Sequence, residues 1–123
     1  MPLKGQHILL VEDNFLIALD IERVICAHGG EVAARAVTLA DAMKRAGNPG
    51  LTSAILETRL GTEDALPIAE RLSGNGVPFV FYTGCIFEEI AAAWPDAPIV
   101  PKPASDASLV NALTSLVSPQ ISN

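Results

Sequence analysis

The chain has 123 residues, of which 50% are hydrophobic and 18% are charged. This composition fits one compact domain with a sizeable core and argues against a disordered segment. The formal net charge is −6, and the eight Lys and Arg residues are scattered apart from Lys44-Arg45. Because a nucleic-acid surface needs clustered basic residues to neutralise phosphates, the sequence argues against direct DNA or RNA binding. No apolar run is long enough to cross a bilayer, and we expect a cytoplasmic protein without a membrane segment.

The residue types that often form metal or redox sites are sparse in this chain. Cys26 and Cys85 are far apart and form no C-x-x-C pattern, which favours two reduced and mostly buried thiols. His7 and His28 have no His or Cys partner at ligand spacing. We therefore expect structural roles for all four residues.

Short apolar runs alternate with longer amphipathic runs in the first half of the chain. The continuous apolar run at its start is typical of a central strand that is covered on both faces. Helix caps and Gly-rich breakers separate the elements. The predicted elements are a strand at His7–Val11, a helix between the cap Asn14 and Gly29-Gly30, a strand over about Glu31–Val37, a helix opened by Thr38 and ended by residues 47–50, and a strand at Leu51–Leu56.

The second half continues the same alternation. Phe87, Ile90 and Trp94 have i, i+3, i+7 spacing, which indicates core packing, with Trp94 a candidate for partial exposure to a partner. The predicted elements are a helix at roughly Glu63–Leu72, a strand at Val77–Tyr82 that ends at Thr83, a helix around Phe87–Trp94, a very short strand at Ile99-Val100, and a helix opened by Ser105.

Five strands that alternate with five helices predict βαβ crossovers and a mostly parallel sheet, in one α/β sandwich from end to end. In such sheets, ligands bind beyond the carboxyl ends of the strands. The residues that end the predicted strands are Glu12, Asp13, Glu57, Thr83 and Lys102. Carboxylates held together need a cation, and a hard ion such as Mg²⁺ prefers oxygen ligands. Metal, ammonium and hydroxyl together suit a phosphoryl group.

Four segments in this order resemble the CheY-like receiver domains of two-component response regulators. They are Leu9-Leu10-Val11-Glu12-Asp13-Asn14, Ala54-Ile55-Leu56-Glu57, Tyr82-Thr83-Gly84 and Lys102-Pro103. Each segment alone is weak, but the set at the edge of a five-fold βα alternation is specific. The resemblance implies one receiver domain over residues 1–123, with a core at about 7–117. It also implies a flavodoxin-like (βα)5 three-layer sandwich with the strand order 2-1-3-4-5.

The same resemblance implies roles for the residues at the strand ends. Glu12, Asp13, Glu57 and the backbone carbonyl of Arg59 would hold Mg²⁺. Thr83 and Lys102 would contact the phosphoryl group or its substitute. The Lys102-Pro103 peptide bond would be cis, a form that is costly except before proline.

Two positions depart from the family pattern. Glu57 stands where the family has its phosphate-accepting aspartate, and the added methylene pushes the carboxylate into the space of the phosphorus atom. We expect phosphotransfer to be lost or slowed, and we expect Glu57 to reach Lys102 or Thr83. A glutamate carries less charge and fewer acceptors than a phosphoryl group, so an inert domain and a constitutively active one both stay open. Ile99 replaces the aromatic residue of the usual relay.

The resemblance indicates a stand-alone receiver in a bacterial phosphorelay that is not an enzyme, with Ser118–Asn123 as a short tail. Its partners would be a histidine kinase or phosphotransfer protein and a downstream target. They would meet helix 1 or the helix 4–strand 5–helix 5 surface, where a homodimer is also conceivable. Three alternatives stay open: a Mg²⁺-dependent phosphatase or phosphotransferase with Asp13 as nucleophile, a flavodoxin-like mononucleotide binder, and a receiver from a larger hybrid kinase or regulator.

Overall fold

A five-stranded parallel sheet forms the centre of the molecule. The computed structural model describes residues 1–84 and 88–117. The structure has seven strands, of which five form this sheet. In chain order they are β1 His7–Val11, β2 Glu31–Ala36, β3 Ser53–Leu56, β4 Arg59–Leu60, β5 Glu63–Asp64, β6 Phe79–Thr83 and β7 Ile99–Pro101. The short strands β4 and β5 form a separate antiparallel hairpin, and the central sheet has the order β2-β1-β3-β6-β7. Counted among the central strands alone, this is the predicted order 2-1-3-4-5.

Helices cover both faces of the sheet and complete the predicted three-layer α/β sandwich. They are α1 Phe15–Ala27, α2 Leu39–Arg45, α3 Leu66–Gly74, α4 Glu88–Ala93 and α5 Asp106–Val117. Buried side chains of α1 and α5 pack on one face, and those of α2, α3 and α4 pack on the other. Among the described residues, no helix is both long enough and apolar enough to cross a membrane.

The strand β1 shows why the sheet is covered on both sides. Leu9 and Val11 enter the core under α2, α3 and α4, whereas Ile8 and Leu10 enter the core under α1 and α5. All four are at most 1% exposed. Burial of each such side chain contributes about 1.5–3 kcal/mol, so the continuous apolar run stabilises both layers at once.

Three predicted helix caps are present. Asn14 Oδ1 accepts a hydrogen bond from Ile17 N at 3.1 Å. Thr38 Oγ1 accepts one from Asp41 N at 3.2 Å, and Ser105 Oγ accepts one from Ser108 N at 3.1 Å. Each bond satisfies a backbone donor that has no partner within its helix.

The start of α3 corrects the sequence analysis. The helix begins at Leu66, and Glu63 belongs to the hairpin. Gly61 makes the turn of this hairpin with φ +63°, and Asp64 Oδ1 accepts a hydrogen bond from Leu66 N at 2.8 Å. Asp64 therefore acts as a local turn residue just before the helix, where its side chain competes with helical backbone bonding.

Two further observations concern burial. Cys26 is exposed, so the expectation of a buried thiol is wrong there: the residue follows the fully buried Ile25 on α1 and turns away from the core.

Leu3 is fully buried in the α1–α5 layer, a contribution that the sequence did not signal. The predictions for Cys85, for Phe87 and for the tail 118–123 lie outside the described residues.

Candidate acidic site at the carboxyl edge of the sheet

Backbone hydrogen bonds continue the sheet beyond the strand ends and place the polar residues. Glu12 N donates to Ala36 O at 3.1 Å, Glu57 N donates to Val11 O at 3.0 Å, and Lys102 N donates to Thr83 O at 2.9 Å. These bonds hold the side chains that follow β1, β3 and β7 at one edge, as the parallel topology predicts. The Lys102-Pro103 peptide bond beside them is cis, as expected.

Lys102 bridges two carboxylates. Its Nζ donates to Glu12 Oε1 at 2.7 Å and to Glu57 Oε1 at 2.5 Å. The side chains are 15% exposed for Lys102, 2% for Glu12 and 12% for Glu57. Lys102 Nζ also lies 5.5 Å from the centre of the Tyr82 ring, within the range of a cation–π interaction. Three residues predicted at the edge therefore form one desolvated, charge-assisted cluster, and Glu57 reaches Lys102 as expected.

The second oxygen of Glu57 is also bonded. Glu57 Oε2 accepts hydrogen bonds from Thr58 N at 2.6 Å and from Thr58 Oγ1 at 3.2 Å. Thr58 Oγ1 lies 2.9 Å from Thr83 Oγ1, and each of the two threonines is 1% exposed. Thr83 joins the cluster through Thr58 and through its own hydrogen bond to Glu57, and the sequence did not predict the contacts of Thr58.

Asp13 has a different hydrogen-bond partner from its neighbour Glu12. Asp13 is exposed, and its Oδ2 accepts a hydrogen bond from Gly61 N at 2.8 Å. Arg59, whose carbonyl was an expected metal ligand, begins the hairpin and pairs with Asp64 in register. Asp13 therefore ties β1 to the hairpin turn instead of to Lys102.

The titration behaviour of the cluster reflects both burial and bonding. Burial raises the pKa of Glu12 above its usual value, although hydrogen bonds from Lys102 and the Asn14 N–H act against it. Burial also acts to raise the pKa of Glu57, but hydrogen bonds from Lys102, Thr83 and the Thr58 N–H lower it overall. For Lys102, burial acts to lower the pKa, but hydrogen bonds to Glu12 and Glu57 raise it overall. The two glutamates differ because Glu12 is more deeply buried and has fewer donors.

The carboxylate and carbonyl oxygens at this edge suit a hard cation, but the carboxylates already accept hydrogen bonds from within the protein. Carboxylate and carbonyl oxygens are the ligands that Mg²⁺ prefers, and the cluster keeps an excess of negative charge. Among residues 1–84 and 88–117, however, no three acidic, His or Cys side chains are grouped as a metal site. Lys102 holds Glu12 and Glu57, and Gly61 holds Asp13. Mg²⁺ would therefore compete with an internal ammonium and a backbone N–H.

Two partly exposed apolar regions lie outside the cluster. At the start of α1, Phe15 is 67% exposed and Leu16 is 74% exposed, an unusual solvent exposure for large apolar side chains. Ile99 at the start of β7 is half-buried, and Trp94, which follows α4, is half-buried with its ring edge-to-face against Phe79 at 5.4 Å. Trp94 is thus partly exposed, while its ring still packs in the core.

Comparison with solved structures connects this arrangement to known proteins. A response regulator receiver protein from Sinorhizobium medicae WSM419 superimposes with a TM-score of 0.82 at 25% identity, covering 91% of this chain and 94% of that chain. SdrG from Sphingomonas melonis Fr1 is 32% identical with a TM-score of 0.80, covering 94% of this chain and 98% of that one. The chain belongs to the receiver domain family. The receiver domain of PhyR from Erythrobacter litoralis shares the fold at 19% identity, with a TM-score of 0.79 and coverage of 98% and 95%.

Two other comparisons give no match. No protein-family model matches this receiver domain, and no curated protein matches it. The evidence for its membership in the family is therefore the fold, the order of its strand-end motifs and its similarity to SdrG.

Proposed function

We propose that this chain is an atypical receiver that signals through protein contacts and is poorly phosphorylated, or not phosphorylated at all. The bridge from Lys102 Nζ to Glu12 and Glu57 carries the proposal. In the receiver pattern the residue at position 57 accepts the phosphoryl group and Lys102 contacts it. Here the two side chains bond directly to each other, so the phosphoryl position is filled from within the protein.

The geometry of Glu57 explains why phosphotransfer would be slow. An in-line attack needs a free carboxylate oxygen at a defined distance from phosphorus. Oε1 accepts from Lys102 and Oε2 accepts from Thr58. These bonds hold both oxygens, so moving the carboxylate to the distance that an attack needs would break a charge-assisted or backbone hydrogen bond inside a mostly desolvated site.

Weak Mg²⁺ binding belongs to the same proposal. Glu12, Asp13, Glu57 and the Arg59 carbonyl are the oxygen donors that would hold the ion, which would supply positive charge at the acidic edge. Because Lys102 and Gly61 N already bond all three carboxylates, we expect low affinity for Mg²⁺.

We further propose a cytoplasmic single domain over residues 1–123 with no catalytic turnover of its own. A histidine kinase or phosphotransfer protein and a downstream protein target are the proposed partners. The exposed apolar side chains at the start of α1 and the half-buried Trp94 after α4 support contact surfaces at α1 and at α4–β7–α5. The latter surface is also where a homodimer would form. The net charge of −6 argues against direct nucleic-acid contact.

Acetyl phosphate labelling, read by intact mass in the presence of Mg²⁺, tests the central point. The native chain should gain no acid-labile phosphoryl adduct. Glu57→Asp should gain one, because it restores the shorter carboxylate on the same backbone, and Glu57→Asn serves as the matched variant without a nucleophile. Robust labelling of the native chain at Glu57 would overturn the proposal.

A further inference from the structure

A groove opens at the amino-terminal edge of the sheet, opposite the acidic site. It has a volume of about 600 Å³ and lies where the carboxyl ends of α3, α4 and α5 meet the start of β6. Its lining includes Val77, Phe79, Trp94, Asp96 and Leu116. Binding sites in proteins are typically concave, mostly apolar and about 300–1,000 Å³ in volume. The groove is therefore large enough to take side chains of another molecule.

Trp94 forms an apolar wall of this groove, and the core holds its ring in place. The Trp94 ring contacts Phe79 edge-to-face, and Phe79 contacts Phe81 in the same manner, with 5.4 Å between the ring centres in each pair. Phe79 and Phe81 are at most 5% exposed, whereas Trp94 is only half-buried. The backbone of Trp94 is also fixed, because its N–H donates to Ile90 O at 2.9 Å. Trp94 thus presents a positioned aromatic surface to the groove.

The charge around the groove has one sign. Of the described residues that line it, Asp96 alone is charged, and the carboxyl ends of the three helices add partial negative charge. From Leu72 to the end of the chain the only basic residue is Lys102, whose ammonium is paired at the opposite edge. The guanidinium of Arg71 lies against Gly47, in the loop after α2. The groove therefore offers an apolar floor and an unneutralised negative potential.

We propose that this groove binds a segment of a partner protein in which a large apolar side chain stands next to an arginine or lysine. The apolar side chain packs on Trp94, and the basic side chain faces Asp96 and the helix ends. An acidic segment is rejected because like charges would meet at the groove. The inference goes beyond the proposed function, because the groove lies at the edge of the sheet opposite Glu57 and includes α3 and the start of β6.

Trp94 is the only tryptophan of the chain, so its fluorescence and its indole N–H resonance report on the groove. The test titrates the full chain with three synthetic peptides of equal length that contain no aromatic residue. The first combines leucine and arginine, the second has glutamate in place of arginine, and the third has serine in place of leucine. Asp96→Lys reverses the charge in the groove. Glu88→Lys, at the exposed start of α4, makes the same change of charge outside the groove and is the matched control.

The leucine–arginine peptide should move the Trp94 emission to shorter wavelength and shift the indole resonance, and both changes should saturate. The other two peptides should bind more weakly. Asp96→Lys should weaken binding of the leucine–arginine peptide by about fivefold or more, because repulsion replaces attraction. Glu88→Lys should bind it as the native chain does.

Equal binding of the arginine and glutamate peptides, or equal effects of the two lysine variants, would overturn the inference. Trp94 signals that no peptide changes would also overturn it and would indicate that the groove is filled by another occupant. Sedimentation at several protein concentrations would then show whether that occupant is a second copy of the chain. Phosphoryl labelling of native Glu57 would instead overturn the proposed function and leave these titrations unchanged.

Discussion

Glu12 and Glu57 follow neighbouring strands and bond the same ammonium, yet they occupy different environments. The Glu12 side chain is 2% exposed, and burial raises its pKa; the Glu57 side chain is 12% exposed, and bonding lowers its pKa. Glu57 has donors on both oxygens, from Lys102 and Thr58. Two carboxylates that share one ammonium therefore need not have the same direction of pKa shift. The other hydrogen-bond donors and the depth of burial determine that direction.

Removing the shared ammonium should produce the largest effect. Lys102→Met leaves two mostly buried carboxylates without their common partner, and we expect a loss of about 3 kcal/mol in the free energy of unfolding. Urea denaturation at neutral pH measures the loss. Lys44→Met on the exposed surface of α2 is the matched control and should change stability by less than about 0.5 kcal/mol. Equal effects of the two variants would show that the bridge does not form.

Neutralising each glutamate in turn should separate their contributions. Glu57→Gln removes a well-bonded charge, and we expect a loss of about 1–2 kcal/mol. Glu12→Gln removes a charge that burial disfavours, so its cost should be smaller or near zero. Paired urea titrations of both variants measure the difference. A larger loss of stability in Glu12→Gln than in Glu57→Gln would contradict this prediction.

The same pair should give opposite pH trends. The pKa of Glu57 is lower in the folded state than in the unfolded state, where a glutamate has a pKa of about 4.3. Its charge therefore stabilises the fold above the unfolded pKa, and this stability is lost as the pH falls through the folded pKa. The stability difference between native protein and Glu57→Gln should therefore shrink on acidification. A raised pKa gives stability at acid pH that is lost as pH rises through the folded value, so the advantage of native protein over Glu12→Gln should grow on acidification. Parallel trends in urea titrations at several pH values would contradict this assignment.

The sequence predicted the frame of the site because the strand ends are marked by abrupt changes from apolar to polar residues. Glu12, Glu57, Thr83 and Lys102 each follow or end such a run, and parallel topology brings these positions to one edge. The pattern could not predict that Glu12 and Asp13, which follow β1, would have different partners, because the contact of Asp13 depends on the hairpin turn at Gly61.

Other features were outside the reach of sequence patterns. The helix predicted after Gly61 begins at Glu63, whereas Glu63 pairs with Leu60 in the hairpin. Thr58 had one signal, its place directly after Glu57 at the end of a buried strand, but a threonine there is also common as simple packing. Its partners depend on β6 and therefore on tertiary structure.

The most direct test of the account is a proton–nitrogen NMR spectrum of the lysine side chains, assigned with Lys102→Met. We predict a protected Lys102 ammonium resonance that exchanges slowly with water, and shifts in both Glu57→Gln and Glu12→Gln. A Lys102 signal that exchanges as fast as that of exposed Lys44 and ignores both substitutions would show that the ammonium does not bridge the two glutamates.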